Sequence, residues 1–367
     1  MRSSKTQPSN KGTMKKVLNK LRFKRKPQQP QRITNETIAE HRERILAGGR
    51  RFKYPVQYAR HKLVFNAIII SVSALFLLVA LFWYLLFVAQ NTSEIIYRLT
   101  RVIPVPVARV DGELVRYSDY LMKYRSSIHY YVEKERLNLN TEDGKSQADY
   151  VKSESMKDAI ADTYAAKLAR EQNITITDEE LEAFLIEQRA SPDGEVSEST
   201  YDSVILDYYG WSRDEYRQAM QAKLLRQKVS FAVDETAKKD SETIAARIKG
   251  GVTDLRVLSD ELRTGDMKDV SYAAYGFLPK ANRDGGLTAA AAKLQVGQIS
   301  DAIRTTNGDG YYFVRLLEAN DTQVNYESIQ VPLKAFDERL KAIEDAGDSV
   351  STFITIPELV TPAATNS

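Results

Sequence analysis

The longest apolar run in the chain is LVFNAIIISVSALFLLVALFWYLLFVA, from Leu63 to Ala89, 27 residues without a charge. Only Asn66, Ser71 and Ser73 interrupt it. At about 1.5 Å per residue it is long enough to cross a hydrocarbon layer of about 30 Å with some tilt. A buried helix of a soluble domain is usually shorter and carries a polar stripe, so the pattern predicts a single transmembrane helix over 63–89. Trp83 and Tyr84 near one end suit a membrane interface.

Elsewhere the apolar positions are periodic and punctuated. Ile38, Ile45 and Leu46 recur at helical spacing, which predicts a short helix capped by Asn35 and ended by Gly48-Gly49. Val107 to Val110 and Glu113 to Arg116 flank Asp111-Gly112, a two-residue hairpin signal. Five helices are predicted after it. The first runs from Ser118 to about Glu135, and the second, after the polar loop LNTEDGKSQ, from about Ser155 to Gln172 with Ile160, Tyr164 and Leu168 on one stripe and Asn173 closing it. The third opens on the capping box Thr177-x-x-Glu180 and buries Leu181, Phe184 and Leu185. A loop over Ser191 to Gly194 leads to the fourth, Ser199 to Tyr209, stopped by Gly210. The fifth opens on Ser212-x-x-Glu215, with Tyr216, Met220 and Leu224 as its core stripe.

Beyond Val233 the signals mix. Helices are predicted near Lys238 to Lys249 and over VTDLRVLSDEL, a strand over SYAAYGFL, a loop from Pro279 to Gly286 and an alanine-rich helix to Leu294. Strands follow over Ile303 to Thr306 and Tyr311 to Leu317. The closing stretch VNYESIQVPLKAF, DERLKAIEDAG, STFITIPEL reads as strand, helix and strand, expected to complete the sheet of this module. The end TPAATNS is expected to fray. The fold class is therefore α+β: a single N-terminal transmembrane helix, a mostly helical domain and then a small mixed domain.

Charge gives this arrangement a direction. Residues 1–62 hold 18 Lys and Arg against 3 acidic residues, while residues 94–367 hold 34 against 46, so opposite charges of +15 and −12 hide inside a net +3. The positive-inside rule places the tail in the cytoplasm and about 275 residues on the other side. A cleaved signal peptide has a short charged region and an apolar core of about 7 to 15 residues, and neither length fits, so an uncleaved signal anchor in the cell membrane is expected. Residues 1–33, rich in Lys, Arg, Gln, Ser and Pro, are expected to be disordered. Three uses fit such a tail: a topology signal alone, contact with anionic lipid headgroups, or contact with nucleic acid, the last being least expected and not counted among the partners. With no cysteine, disulfides, thiolate zinc sites and cysteine nucleophiles are excluded.

The hairpin VARVDGELVRYSDY, then AIADTYAAKLAREQNITITDEELEAFL, then YYGWSRDEYRQAMQAKLLRQKV, in that order over residues 105–230, resembles the N-terminal domain of SurA-type chaperones. PrsA-type and PpiD-type membrane-anchored foldases share that domain. Residues 233–360 resemble a parvulin (PpiC-type) domain through Gly285-Gly286, AAAAKLQVGQIS and GYYFVRLLE. The resemblance divides the chain into a basic tail over 1–62, the anchor over 63–89, a SurA-N-like domain over 94–232 and a parvulin-like domain over 233–360.

What the resemblance implies is a membrane-anchored foldase whose partners are unfolded or nascent exported polypeptides. Active parvulins present a histidine in the first strand and another in the last. Here the last strand reads Gly310-Tyr311-Tyr312 and the region VSFAVDETAKK has no histidine, so a catalytically impaired module is expected, with no catalytic residue. Its apolar wall has Leu287 and Ala292 where the family has bulkier aromatics. Tyr275, Phe277, Leu287, Tyr311 and Tyr312 are the candidate peptide-binding residues.

Independent chemistry is sparse. His41 and His61 lie before the apolar run and cannot meet His129, there is no metal-ligand spacing or phosphate loop, and no metal or cofactor is expected. The acidic cluster Asp178-Glu179-Glu180 suits a helix N-terminus. Three classes stay open: a chaperone, an active prolyl isomerase and an envelope scaffold, to be separated by an exposed apolar groove, a preserved prolyl pocket or one large flat interface.

Overall fold

The computed structural model describes residues 34–52, 55–191, 194–347 and 349–357. The expected disorder of residues 1–33 and fraying of TPAATNS lie outside them. The chain forms two compact units, Met1–Ala80 and Leu81–Ser367.

The first unit holds α1 (Asn35–Phe52) and most of α2 (Pro55–Phe87). Helix α1 runs on through the glycine pair expected to end it. A glycine stops a helix by taking a left-handed φ, and Gly48 does not; in a helical conformation it costs only about 1 kcal/mol relative to alanine. Asn35 is the first helical residue rather than the cap, and the Thr37 hydroxyl accepts from the Thr34 amide at 2.9 Å. Helix α2 begins eight residues before the apolar run, with Pro55 at the first position, where its missing N–H costs nothing. Every side chain from His61 to Ala80 is exposed. The segment His61–Phe87 is long and apolar enough to cross a membrane.

The second unit opens on the last turn of α2, where Leu86 is buried with Phe82, Leu85 and Phe87 around it. The helix stops at Phe87, two residues short of the expected end: Gln90 turns to φ 45° and the Asn91 amide donates back to the Leu85 carbonyl at 2.8 Å. An unanticipated helix, α3 (Glu94–Val102), buries Ile96, Tyr97 and Thr100. Strands β1 (Pro106–Val110) and β2 (Glu113–Arg116) form the anticipated hairpin, with Asp111 at φ 46° and Gly112 at φ 85°, the positive pair that a tight two-residue turn requires.

Helix α4 (Tyr117–Glu133) begins one residue before Ser118, and Arg116 at its N-cap position makes no side-chain cap bond. Helix α5 (Glu142–Gln172) starts thirteen residues earlier than its apolar stripe suggested. Thr141 caps it by accepting from the Gly144 amide at 3.1 Å, so most of the supposed loop is a solvated helical face. Asn173 closes α5 at φ 56°, as anticipated. Helix α6 (Asp178–Arg189) has both halves of its capping box, and a minimal hairpin, β3 (Ala190–Ser191) and β4 (Gly194–Glu195), leads to α7 (Glu198–Tyr209) and α8 (Arg213–Val233).

Helices α9 (Glu235–Lys249) and α10 (Leu255–Thr264) follow. The region VSFAVDETAKK, where the parvulin resemblance puts a strand, is the end of α8 and the start of α9. Strands β5 (Ser271–Pro279), β6 (Ile303–Arg304), β7 (Gly310–Ala319) and β8 (Gln323–Pro332), with α11 (Leu287–Ala291) between β5 and β6, make an antiparallel sheet in the order β5-β8-β7-β6. Alternation along β7 sends Tyr311 and Phe313 to the face under α9 and α10, and Tyr312, Val314 and Leu316 to the face under α11.

The chain then returns. Helix α12 (Ala335–Asp345) buries Phe336 in the helical core, its ring 5.6 Å from that of Tyr164. Strand β9 (Val350–Thr352) pairs antiparallel with β1. Only Ser351 and Thr352 of the strand expected in STFITIPEL are in a strand, and this short strand completes the hairpin of the helical module and not the second sheet. Packing α12 into the helical core by Phe336 carries the following chain to the free edge of β1.

Candidate functional site

A groove of about 420 Å³ lies where the helical module meets the sheet module. Its floor is apolar: Ile176 from the loop before α6, Phe184 from α6, and Leu224 and Phe231 from α8. Phe184 is buried and the other three are half-buried. Its far wall is Arg304 of β6 with Thr305 and Thr306. The Arg304 guanidinium stands 5.5 Å from the ring centres of both Phe231 and Tyr311, close enough for attraction to their faces. At the rim Lys228 pairs with Glu180 at 2.6 Å and donates to the Thr175 carbonyl at 3.0 Å. The bond from Lys228, then the one from the Thr177 amide, holds the Glu180 carboxyl below its ordinary range.

Two contacts fix the walls relative to each other. The Gln227 amide donates to the Thr306 carbonyl at 3.0 Å. Gly308, at φ 75°, lets the turn after β6 approach the Gln227 side chain so closely that a Cβ there would collide with it. The groove thus has a shaped apolar floor and a charged rim, with no nucleophile beside a base. It suits an apolar side chain of another polypeptide held by burial, worth about 1.5–3 kcal/mol for a fully buried Leu or Phe.

A second cavity of about 420 Å³ lies among α3, α4, α7 and the start of α8. Its charges are used internally. Glu215 accepts from the Tyr97 hydroxyl at 2.6 Å, the Ser212 hydroxyl and amide at 2.8 Å, and Arg101 at 3.3 Å. Burial raises the Glu215 carboxyl, but these donors more than offset it and hold the group low. The Tyr97 hydroxyl is pushed up by burial and by its bond to Glu215. Arg125 pairs with Glu94 and donates to the Thr92 carbonyl. The phrase Gly210-Trp211-Ser212 has a structural reason at each position: Gly210 turns at φ 66° against the His129 ring, the Trp211 indole donates to the Met122 carbonyl at 3.3 Å, and Ser212 caps α8.

The five residues singled out from sequence do not converge on one pocket. Tyr312 and Leu287 are buried with Tyr275 packed beside them under α11, and the Tyr275 and Tyr326 rings are 4.7 Å apart. Tyr311 lies on the opposite sheet face, edge-on to Phe231 at 5.2 Å, and Phe277 is exposed on β5. The Tyr312 hydroxyl donates to Asp309 at 2.8 Å, and burial first, then that bond, raises its pKa. Tyr326 likewise donates to Asp284. Two groove residues, Phe184 and Leu224, were legible only as helix-core positions. Ile176, Phe231 and Arg304 carry no local signal, because the groove exists only once the turn after β6 packs on α8. Among the described residues no group of His, Asp and Glu could hold a metal ion.

No curated protein and no solved structure matches the chain. A family model does: residues 57–230, from within α2 to near the end of α8, match the SurA-like N-terminal domain. With a helical module similar to that domain and the small sheet that follows, the fold is mixed α+β. The match covers a little under half of the chain and likens that part, nearly all of α2 and the helical module, to a SurA-like N-terminal domain.

Proposed function

We propose that the chain is a membrane-anchored extracytoplasmic chaperone that holds unfolded exported polypeptides in the groove between α6, α8 and β6. The observation that carries this reading is the apolar floor of Ile176, Phe184, Leu224 and Phe231, open at the junction of two modules. The SurA-like match supports polypeptide as the ligand class, and the span His61–Phe87 with its basic flank supports anchoring with the N-terminus in the cytoplasm. The sheet module acts as a wall of the groove rather than as an isomerase. Tyr312 stands where the resemblance calls for a histidine, and its hydroxyl is engaged by Asp309.

The test is the full chain in lipid nanodiscs with a chemically unfolded client. The chain should delay client aggregation, Leu224→Ser should lose most of that delay while keeping its circular dichroism, and proline-limited refolding should not accelerate. An unchanged delay in Leu224→Ser would place the client elsewhere. No delay with wild-type chain would leave the scaffold reading in its stead.

A further inference from the structure

Helix α3 has three faces rather than two. At about 100° per residue, Ile96, Tyr97 and Thr100 share the sector turned to the core, while Glu94, Arg98 and Arg101 share a charged sector. Ile95, Leu99, Val102 and the following Ile103 share the third sector, and they are 72%, 41%, 81% and 46% exposed. A helix that already docks by one apolar face has no folding reason to carry a second. Single exposed apolar residues need no explanation, but three on one stripe of a nine-residue helix, with a fourth just past its end, do.

The position of α3 in the chain says what covers that stripe. The apolar span ends at Phe87, and α3 begins at Glu94, no more than about 25 Å of chain away even if fully extended. The connection is folded back and tied. The Asn91 amide donates to the Leu85 carbonyl, and Arg125 donates to the Thr92 carbonyl at 2.5 Å while pairing with Glu94. The start of α3 is thereby held beside the last turn of the span. A short helix with an apolar stripe, basic residues along one border and a fixed place next to a membrane-spanning segment has the chemistry of a helix lying in the headgroup region. The Arg98 side chain, 77% exposed, can keep its charge among headgroups while its stem lies along the apolar boundary.

We infer that α3 is an interfacial helix whose Ile95–Leu99–Val102–Ile103 stripe rests in the outer surface of the bilayer that α2 crosses. The inference rests on the anchor reading of α2, and its test separates the two.

The chain has no cysteine, so one introduced cysteine carries one nitroxide label. Three full-length variants in phosphatidylcholine–phosphatidylglycerol vesicles are compared: Val102→Cys in the stripe, Ile69→Cys in the span, and Val257→Cys, an exposed apolar position on α10. Collision with oxygen, which concentrates among acyl chains, is measured against collision with a water-soluble nickel chelate. The Val102 label should resemble the Ile69 label, with oxygen favoured several-fold over nickel, and the Val257 label should show the reverse. A nickel-accessible Val102 label beside a lipid-like Ile69 label overturns the inference and leaves the anchor standing. Nickel access at Ile69 overturns both. A Val102 label shielded from both reagents and broadened by a neighbouring label means that a second copy covers the stripe, and overturns the inference as well.

Discussion

The helical and sheet modules of the folded unit reach stability by different means. In the sheet module both faces of β7 and β8 are covered, by α9 and α10 on one side and α11 on the other, and Phe313, Val314, Val324, Tyr326 and Ile329 are fully buried. Three of its tyrosine hydroxyls end on carboxylates: Tyr312 on Asp309, Tyr326 on Asp284, and Tyr272 on Glu327 at 2.7 Å. The helical module has a large core too, but polar fasteners hold its periphery: two capping boxes, the Glu215 hub, and Lys167 bridging α5 to the Asp111 turn at 2.5 Å. It leaves Ile95, Val102, Val204 and Leu206 in the open. The sheet module exposes Val257, Phe277 and Val296 only singly, whereas the helical module leaves Ile95 and Val102 on one stripe and Val204 and Leu206 on another helix.

The largest effect should come from opening the closed module. Phe313→Ala leaves a cavity between β7 and the α9–α10 layer and should cost about 3–5 kcal/mol, read as a shift of the denaturant midpoint. Hydrogen exchange should speed up in β5 to β8 first. If α4 and α5 lose protection to the same degree, the modules do not differ as described.

Next is the Glu215 hub. Glu215→Gln removes the charged acceptor shared by Tyr97, Ser212 and Arg101 and should cost about 1–3 kcal/mol, with faster exchange in α3 and the first turn of α8. The group also sets a pH dependence. Its folded pKa is depressed, so the stability it contributes is present above the ordinary value of 4.5 and is lost as pH falls through the lower folded value. Wild-type chain should lose stability below about pH 4.5 by more than the Gln variant does. Parallel acid profiles would sharpen the comparison against the hub.

Thr177→Ala removes one half of the α6 capping box and should cost about 1 kcal/mol, measured as a small fall in midpoint. Smallest in stability should be Leu224→Ser, below about 1 kcal/mol at its half-buried site, although client binding depends on it. That binding should also change little with added salt, because apolar contacts are not screened. A steep salt dependence would move the binding surface to the charged rim.

Local devices were legible in the chain because their causes are local. The Asp111-Gly112 turn, the Thr177 and Ser212 boxes, the Asn173 and Gly210 stops and the strand over Tyr311 to Leu317 each follow from a few neighbouring residues, and all are present. The long uncharged run identified the one segment among the described residues that is long and apolar enough to cross a membrane, since composition and length alone set that property. Misreadings arose where local signals were weak or divided. The first turns of α5 look like a loop because that face is solvated, and α3 escaped notice because its nine residues split among three faces instead of two. The placement of β9 beside β1, the separation of Tyr311 from Tyr312 across the sheet, and the groove of Ile176, Leu224, Phe231 and Arg304 were decided only in three dimensions. A three-residue strand carries no mark of its partner more than 230 positions away, and a groove between modules belongs to neither segment until both are packed.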